Sequence, residues 1–220
     1  SVDVAQKYNA TFLVRGIRNG MDYEYVIKRM EKYADEKGIP IMEEEGINFL
    51  TEFIRLNKVK NILEIGSAIG YSAIRMALVD KDITVTTIER DKDRYIEAVK
   101  NIKEFNLEDR ITLILADALA FNTDEEFDLI FIDAAKSQYI KFFEKFSKNL
   151  KQKGFIVTDN INFHGLTYSD KTKMSRNLRQ LITKLERYIN FLKDNEEFKT
   201  RFFEIGDGVA ISRRRKKKDE

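Results

Sequence analysis

The chain of 220 residues contains no cysteine, one histidine and one proline. The absence of cysteine excludes disulfides, thiolate metal sites and cysteine nucleophiles. With a single histidine, a bound metal would need oxygen ligands, which favours Mg²⁺ or Ca²⁺ over Zn²⁺. No apolar run approaches the roughly 18 residues of a membrane-spanning helix, and the first residues lack the pattern of a signal peptide. We therefore expect no membrane partner and a cytoplasmic location.

An excess of one charge sign is also missing, because 39 Lys and Arg residues oppose 37 Asp and Glu residues. The balanced total does not argue for nucleic acid, so local patches matter more. The segment 42–52 is acidic, whereas the run 213–218 is strongly basic. Hydrophobic residues make up 43% of the chain, which is enough for a core and excludes a disordered chain.

Apolar periodicity separates a helical N-terminal part, residues 1–58, from an alternating α/β part, residues 59–212. In the second part, five short apolar runs alternate with helical patterns and predict a buried parallel sheet that is covered on both faces. Strand-like runs at 198–205 and 209–212 flank a Gly-Asp-Gly turn and predict an antiparallel hairpin. We predict an α/β, doubly wound, mostly parallel sheet with N-terminal helices, and a basic, disordered tail at 213–220.

Each of the five strand-like runs ends in a glycine or an acidic residue: Gly66, Glu89, Asp117, Asp133 and Asp159. In open α/β sheets, ligands bind at the carboxyl ends of the strands. Aspartate is also a common helix cap, so one acidic strand end has a structural explanation. Four acidic ends together favour a ligand site.

The loop after the first run is predicted to bind a nucleoside. It contains Gly66 and Gly70, but Ala68 replaces the central glycine of the dinucleotide fingerprint, which disfavours the pyrophosphate of NAD. Glu89 is placed to bind both hydroxyls of a ribose, and Asp117 would lie beside the adenine. S-adenosylmethionine fits such a site because it carries a nucleoside without phosphates.

A second group of polar residues follows the fourth and fifth runs. Asp133, Asp159 and Asn160 would place two carboxylates and one amide oxygen at neighbouring strand ends, a donor set that suits Mg²⁺. Lys136 lies one turn into the next helix and could face the same point. Taken singly, these residues could also be a helix cap, a turn and a surface lysine.

Several segments make the chain resemble the metal-dependent O-methyltransferases, the family of catechol and caffeoyl-CoA O-methyltransferases. They read LEIGSAIGYSAIRMA, TIERD, ADAL, FIDAAKSQY and IVTDN, and the resemblance covers about residues 23–212. Four segments, IPIMEEEG, IDAAKSQY, DNINFHGL and GDGVAIS, most resemble the bacterial branch that methylates tRNA 5-hydroxyuridine. The resemblance implies a Rossmann-like class I methyltransferase fold, S-adenosylmethionine and Mg²⁺ as cofactors, and a homodimer. It also implies conversion of 5-hydroxyuridine to 5-methoxyuridine at the wobble position of the tRNA anticodon loop.

The resemblance assigns roles to single residues. Lys136 matches the catalytic lysine, and Asp133, Asp159 and Asn160 match the Mg²⁺ ligands. The expected cofactor contacts come from the segment before the first strand and from the strand ends: Met42, Glu64, Gly66, Ser67, Gly70, Ser72, Glu89, Asp117, Ala118 and Asp133.

Contacts to RNA phosphates are predicted at two basic stretches. The residues are Lys171, Lys173, Arg176 and Arg179 in the first, and Arg213, Arg214 and Arg215 in the second. An unstructured, solubilising tail is the alternative for the second stretch. His164, close to the predicted metal loop, could contact a substrate or be an ordinary loop residue.

Three other functions stay open. The chemistry could act on a small catechol-like or hydroxycinnamoyl compound instead of tRNA. An NAD-dependent oxidoreductase is disfavoured by the missing central glycine of the dinucleotide fingerprint. A non-catalytic RNA-binding protein is disfavoured by the intact D-x-x-K and D-N pairs.

Overall fold

A computed structural model describes residues 20–162 and 174–216 and shows one seven-stranded sheet in these ranges. The strands are β1 (Asn61–Ile65), β2 (Thr84–Glu89), β3 (Ile111–Leu115), β4 (Phe127–Ile132), β5 (Leu150–Thr158), β6 (Phe198–Phe203) and β7 (Val209–Arg214). Their order is β3-β2-β1-β4-β5-β7-β6. The first five strands are parallel, and β7 runs antiparallel to β5 and β6. This confirms the predicted doubly wound sheet with a C-terminal hairpin.

Helices cover both faces of the sheet. Within the described ranges they are α1 (Gly20–Lys37), α2 (Glu44–Leu56), α3 (Tyr71–Ala77), α4 (Lys92–Glu104), α5 (Tyr139–Phe146) and α6 (Arg176–Lys193). Short 3-10 turns, Lys136–Gln138 and Ser147–Asn149, flank α5. None of these helices is both long and apolar enough to cross a membrane.

The core consists of two apolar layers, because successive side chains of a strand point to opposite faces. Ile62 of β1 packs with α1 to α4, whereas Leu63 and Ile65 pack with α5 and α6. On the first face, α1 and α2 join the same apolar cluster as the sheet, for example through Ile47 and Ile54. The N-terminal helices therefore help to form the main core.

The basic tail begins later than the sequence predicts. β7 continues to Arg214, and Arg213 lies opposite Phe155 of β5 and Lys199 of β6. Pairing with strands on both sides extends the hairpin two residues past Ser212. Only Arg215 and Lys216 of the predicted tail are described outside a strand.

Candidate functional site

A cavity of about 300 Å³ lies at the carboxyl ends of the central strands. Because β1 lies between β2 and β4, the loops that follow these three strands meet at one edge. Ten of the thirteen residues predicted for the cofactor, the metal and catalysis line this cavity: Met42, Gly66, Ser67, Ser72, Glu89, Asp117, Ala118, Asp133, Lys136 and Asn160. The other three, Glu64, Gly70 and Asp159, are not among its lining residues. Four of the five strand-end residues singled out in the sequence, Gly66, Glu89, Asp117 and Asp133, therefore line one cavity.

Gly66 brings the first loop against the end of β4. Its φ is +98°, and a Cβ there would collide with the backbone carbonyl oxygen of Asp133. Only glycine permits both the left-handed backbone and this close approach. Gly70, which has φ +82°, does not line the cavity, and a Cβ there would lie 3.4 Å from that of Ala98.

The Glu89 carboxylate is fixed by three backbone N–H groups. It accepts hydrogen bonds from Ala68, Arg90 and Asp91, each at 2.8 Å. A carboxylate held in this way is a preorganised acceptor for a pair of ribose hydroxyls. Its place at the tip of β2 agrees with the predicted nucleoside role.

Ser67 provides a direct test of whether the cavity suits a polar cofactor. Its side chain is only 2% exposed and lines the cavity. Among the described residues, its Oγ is the one buried side-chain polar atom without a hydrogen-bond partner. Buried hydroxyls are nearly always paired. A bound polar ligand would supply the partner, so the residues present fit a nucleoside cofactor with a polar tail.

Glu64 does not line the cavity. Its side chain is fully buried, and its two carboxylate oxygens accept hydrogen bonds from the hydroxyls of Ser72 and Thr87. Burial raises the pKa of the Glu64 carboxyl to about 7, although both hydrogen bonds lower it. Glu64 therefore orients Ser72, which does line the cavity.

Replacing Glu64 with glutamine should weaken the pH dependence of folding stability. The reference pKa of this carboxyl is 4.5 and the folded value is about 7, so the native protein binds more protons between these values. The free energy of unfolding consequently falls as pH rises through that window, by about 3 kcal/mol for a buried shift of this size. Urea unfolding without ligands at both ends of the window should show that Glu64→Gln loses this component.

The exposed Glu108→Gln variant is the control and should keep the parent's pH dependence. Since other buried acids titrate in the same range, the measured quantity is the difference between variant and parent. Identical pH slopes for Glu64→Gln and the parent would contradict the assignment.

The second group of predicted residues lies at the ends of β4 and β5. The backbone N–H of Asp133 donates to the carbonyl of Ile65 at 3.0 Å, and that of Asp159 donates to Ile132 at 3.2 Å. These bonds continue the parallel ladders past the strand ends and fix the two aspartates side by side. Asp159 is 3% exposed.

Lys136 and Asn160 complete this group. Lys136 Nζ donates to Asn160 Oδ1 at 3.2 Å, and Asn160 Nδ2 donates to Asp159 Oδ2 at 2.7 Å. Asn160 has φ +60°, a left-handed conformation that asparagine tolerates better than most residues. The lysine, the amide and the carboxylate therefore form one continuous hydrogen-bonded set.

The electrostatics of this set favour a cation. Burial raises the pKa of the Asp133 carboxyl to about 6, against the nearby Lys136 charge, which lowers it. Burial also raises the pKa of Asp159 well above its usual value, and the charge of Asp133 adds to this. Burial lowers the pKa of the Lys136 amine, whereas the nearby aspartates raise it. A divalent ion bound between the two carboxylates would reduce the repulsion between their charges.

The donor chemistry also fits Mg²⁺, which prefers oxygen ligands and retains positions for substrate and water. Across the described ranges, no three His, Cys, Asp or Glu side chains are grouped so that they could hold a metal. The amide oxygen of Asn160 is therefore needed beside Asp133 and Asp159. Metal binding itself stays a prediction.

The sequence analysis placed Asp207 in a hairpin turn and assigned it no role in the site. The N–H of Ile161 donates to Gly208 at 3.1 Å, and that of Asn162 donates to Asp207 at 2.9 Å. This brings the turn against the loop that follows β5, and the Asp207 charge acts on Lys136. An acidic residue between two glycines was the available signal.

Other cavity residues were also missed: Tyr71, Arg90, Arg94, Gln138 and Phe142. Arg90 directly follows the strand-end Glu89, and this adjacency could have indicated it. The remaining four come from helices or turns, whose orientation depends on packing.

The predicted RNA contacts are scattered. Arg176 and Arg179 are exposed in the first turns of α6. Lys171, Lys173 and His164 lie outside the described residues. Arg213 is exposed on the face of the sheet that carries α2.

Arg214 lies on the opposite face and is already engaged. It forms an ion pair with Glu197, donates to the Ser147 carbonyl at 2.6 Å and lies 4.9 Å from the ring centre of Phe198. Arg215 donates to the Asn195 carbonyl at 3.2 Å. In this structure, the side-chain interactions of these two arginines are therefore made with the protein itself.

The chain is similar in sequence to known methyltransferases. The sequence model of the O-methyltransferase family matches residues 20–215. A caffeoyl-CoA O-methyltransferase of Populus kitakamiensis is 31% identical over 193 residues, covering 84% of this chain and 82% of that protein. A flavonoid 3',5'-methyltransferase of Vitis vinifera is 28% identical over 193 residues, covering 83% of this chain and 81% of the other.

Solved structures extend the likeness. A Staphylococcus aureus protein provisionally named a caffeoyl-CoA O-methyltransferase is 35% identical, with a TM-score of 0.82 and 97% of each chain covered. An O-methyltransferase of Bacillus cereus, solved with S-adenosylhomocysteine, is 22% identical and shows the shared fold, with a TM-score of 0.73 over 96% of this chain and 97% of the other.

Proposed function

Because the chain belongs to the O-methyltransferase family, we propose that it transfers a methyl group from S-adenosylmethionine to a hydroxyl oxygen in a Mg²⁺-dependent reaction. The observation that carries this proposal is one cavity that joins two kinds of site. The Glu89 carboxylate and the Ser67 hydroxyl, which has no partner in the described part of the chain, line this cavity and suit a nucleoside cofactor. Asp133, Lys136 and Asn160 line the same cavity and suit a metal-bound substrate.

The residues at the strand ends have different roles in this proposed reaction. Asp133, Asp159 and Asn160 would hold Mg²⁺, and Glu89 would hold the ribose hydroxyls. When bound, S-adenosylmethionine supplies an electrophilic methyl group, and Mg²⁺ lowers the pKa of a coordinated hydroxyl and orients it.

Lys136 acts on the substrate oxygen. It accepts the hydroxyl proton or stabilises the resulting oxyanion, and burial brings its pKa down towards the range in which it can exchange a proton. Met42, buried at the edge of the cavity, helps to exclude water beside the transferred methyl group. Most of the rate enhancement should come from holding oxygen and methyl in line at close distance.

We propose 5-hydroxyuridine at the wobble position of tRNA as the substrate. Its O5 lies beside the O4 carbonyl, so it presents two adjacent oxygens as a catechol does. A wobble base lies in a single-stranded loop and is accessible without opening a duplex. The segments around Met42, Lys136, Asn160 and Asp207 support this choice through their resemblance to the bacterial tRNA enzymes.

A small catechol-like or hydroxycinnamoyl substrate is the second candidate. The observation that favours it is sequence similarity to enzymes named for such substrates, among them caffeoyl-CoA and flavonoid methyltransferases. The chemistry at Asp133, Lys136 and Asn160 would be the same for both substrates. The two substrates would differ only in their contacts with the surface around the cavity.

Nucleoside mass spectrometry separates the two candidates. Purified protein is incubated with S-adenosylmethionine, Mg²⁺ and tRNA that carries 5-hydroxyuridine, with EDTA in a parallel reaction. We expect conversion to 5-methoxyuridine, and we expect EDTA to abolish it because the carboxylate pair then lacks its cation.

Methylation of caffeic acid or catechol without any conversion of the tRNA would indicate that the substrate is a small molecule. The proposed reaction type would be unchanged. Full conversion in EDTA would remove the metal from the proposal. Untreated tRNA that lacks 5-hydroxyuridine is the control for methylation elsewhere in the RNA.

A further inference from the structure

A second groove lies on the face of the sheet that carries α2, at β5, β7 and β6. Its volume is about 190 Å³. Three cationic and four apolar side chains line it: Lys199, Arg201, Arg213, Phe53, Phe155, Phe203 and Ile211. None of these residues belongs to the cavity described above. We call this feature the basic–aromatic groove.

Strand register explains why these residues share one face. Arg213 of β7 lies between Phe155 of β5 and Lys199 of β6, and Ile211 lies opposite Arg201. Residues two apart on a strand point to the same side, so Lys199 and Arg201 of β6 lie on the same face as Arg213 of β7. Sequence spacing alone does not bring Lys199 and Arg213 together.

Packing of α2 leaves the edge of this face open. Phe53 of α2 contacts Phe155 edge-on with ring centres 4.9 Å apart, and Phe49 contacts Phe203 at 5.2 Å. The described helices thus cover the inner part of the face, whereas Lys199 and Arg201 on the edge strand are exposed.

The charge of the groove is not compensated by the described residues. No carboxylate lines it, and Lys199, Arg201 and Arg213 form no ion pair with any residue in the described ranges. The neighbouring Arg214 points to the other face and is paired with Glu197. Three cations beside apolar rings therefore favour an anionic ligand that also has flat apolar faces.

We propose that the basic–aromatic groove binds a single-stranded segment of RNA, a proposal that rests on the proposed tRNA function. Phosphates would contact Lys199, Arg201 and Arg213, and a base would stack on the ring of Phe203 or Phe155. Cationic grooves with interspersed aromatic rings are the usual platform for single strands. The basic residues after Arg214 do not complement this charge, so the chain's own tail is disfavoured as the occupant.

The position of the groove suits an anticodon loop. Phe155 lies on β5 four residues before Asp159, a distance of about 13 Å along a strand. An RNA strand in the groove can therefore continue to the cavity where the reacting base would bind. The groove would then hold nucleotides next to the modified one.

The test neutralises the three cations together, with Lys199→Gln, Arg201→Gln and Arg213→Gln in one chain. Binding of a fluorescent anticodon stem-loop RNA is measured by anisotropy over a range of salt concentrations. Each lost contact to a single strand should reduce the slope of log Kd against log salt by about 0.7, so we expect a total change of about 2. The matched control removes three exposed lysines elsewhere: Lys81, Lys103 and Lys148.

A second variant tests the aromatic part. Phe203→Leu should weaken RNA binding about tenfold while leaving the salt slope unchanged, because stacking is lost and no phosphate contact is. Thermal unfolding of every variant confirms that the fold is kept, and methylation of catechol reports on the catalytic cavity independently of RNA.

An unchanged salt slope in the triple variant would contradict RNA binding in the basic–aromatic groove, even if the parent methylates tRNA. A parent that fails to bind the RNA at all would also overturn it. If the parent binds RNA with the expected slope change but does not convert 5-hydroxyuridine, the proposed function fails and the groove stands. A light-scattering mass that falls to that of one chain in the variant, with an unchanged slope, would assign the groove to a second copy instead.

Discussion

Asp133→Ala is expected to lower the rate of methyl transfer by at least about 10³-fold at moderate Mg²⁺. The substitution removes one of the two carboxylates that would hold the metal, and this carboxylate lines the cavity in which the cofactor would also bind. The backbone N–H of Asp133 still donates to Ile65, so the end of β4 should stay in place. The measurement is the initial rate over a series of Mg²⁺ concentrations, together with calorimetric binding of S-adenosylhomocysteine.

Asp117→Ala is the matched control for this experiment. Asp117 lines the other end of the cavity and its carboxylate accepts from the Leu119 N–H at 2.8 Å. Its loss should weaken binding of S-adenosylhomocysteine but leave the Mg²⁺ dependence unchanged. A fully active Asp133→Ala protein at low Mg²⁺ would end the metal proposal.

Lys136→Ala is expected to lower kcat by about 10²- to 10⁴-fold with a much smaller effect on KM. The Lys136 amine lies at the cavity wall within hydrogen-bond distance of Asn160, at 3.2 Å, next to the predicted metal ligands. It can therefore act on the substrate oxygen during proton removal, a contact that matters in the transition state more than in binding. Steady-state kinetics with saturating S-adenosylmethionine gives both constants.

Lys141→Ala provides the control, because Lys141 is exposed on α5 and does not line the cavity. Its kinetic constants should match those of the parent. Mg²⁺ dependence should persist in Lys136→Ala, since both carboxylates remain. An unchanged kcat in Lys136→Ala would exclude this residue from the chemistry.

The candidate site was predictable to the extent that it depends on strand ends. Glu89, Asp133 and Asp159 each follow a nearly continuous apolar run, and the carboxyl ends of parallel strands must share one edge. This inference needs only the order of elements along the chain and no knowledge of side-chain packing. The same reasoning could not place Glu64, which the sequence analysis grouped with the cofactor contacts. Its burial behind Ser72 and Thr87 depends on how β1 lies between its neighbours.

The basic stretch after Ser212 shows where sequence reasoning reached its limit. In the sequence it is one run of like charges, which predicted a disordered tail and three equivalent RNA contacts. Strand pairing places Arg213 in the basic–aromatic groove and Arg214 on the opposite face, where Arg214 forms an ion pair with Glu197. Adjacent residues of a strand point in opposite directions, so pairing separates what composition had grouped.

Local sequence patterns were enough to predict the alternating α/β order, the doubly wound sheet with its terminal hairpin, and the strand-end residues of the cavity, because hydrophobic periodicity is a local property. Which polar residues are buried, and what they contact, became clear only from the folded structure. It placed Asp207 near Lys136, left the Ser67 hydroxyl without a partner among the described residues, and brought Lys199 and Arg201 beside Arg213 on the neighbouring strand. These contacts link residues that are distant in the chain, so they follow from sheet register and helix packing and not from any local pattern.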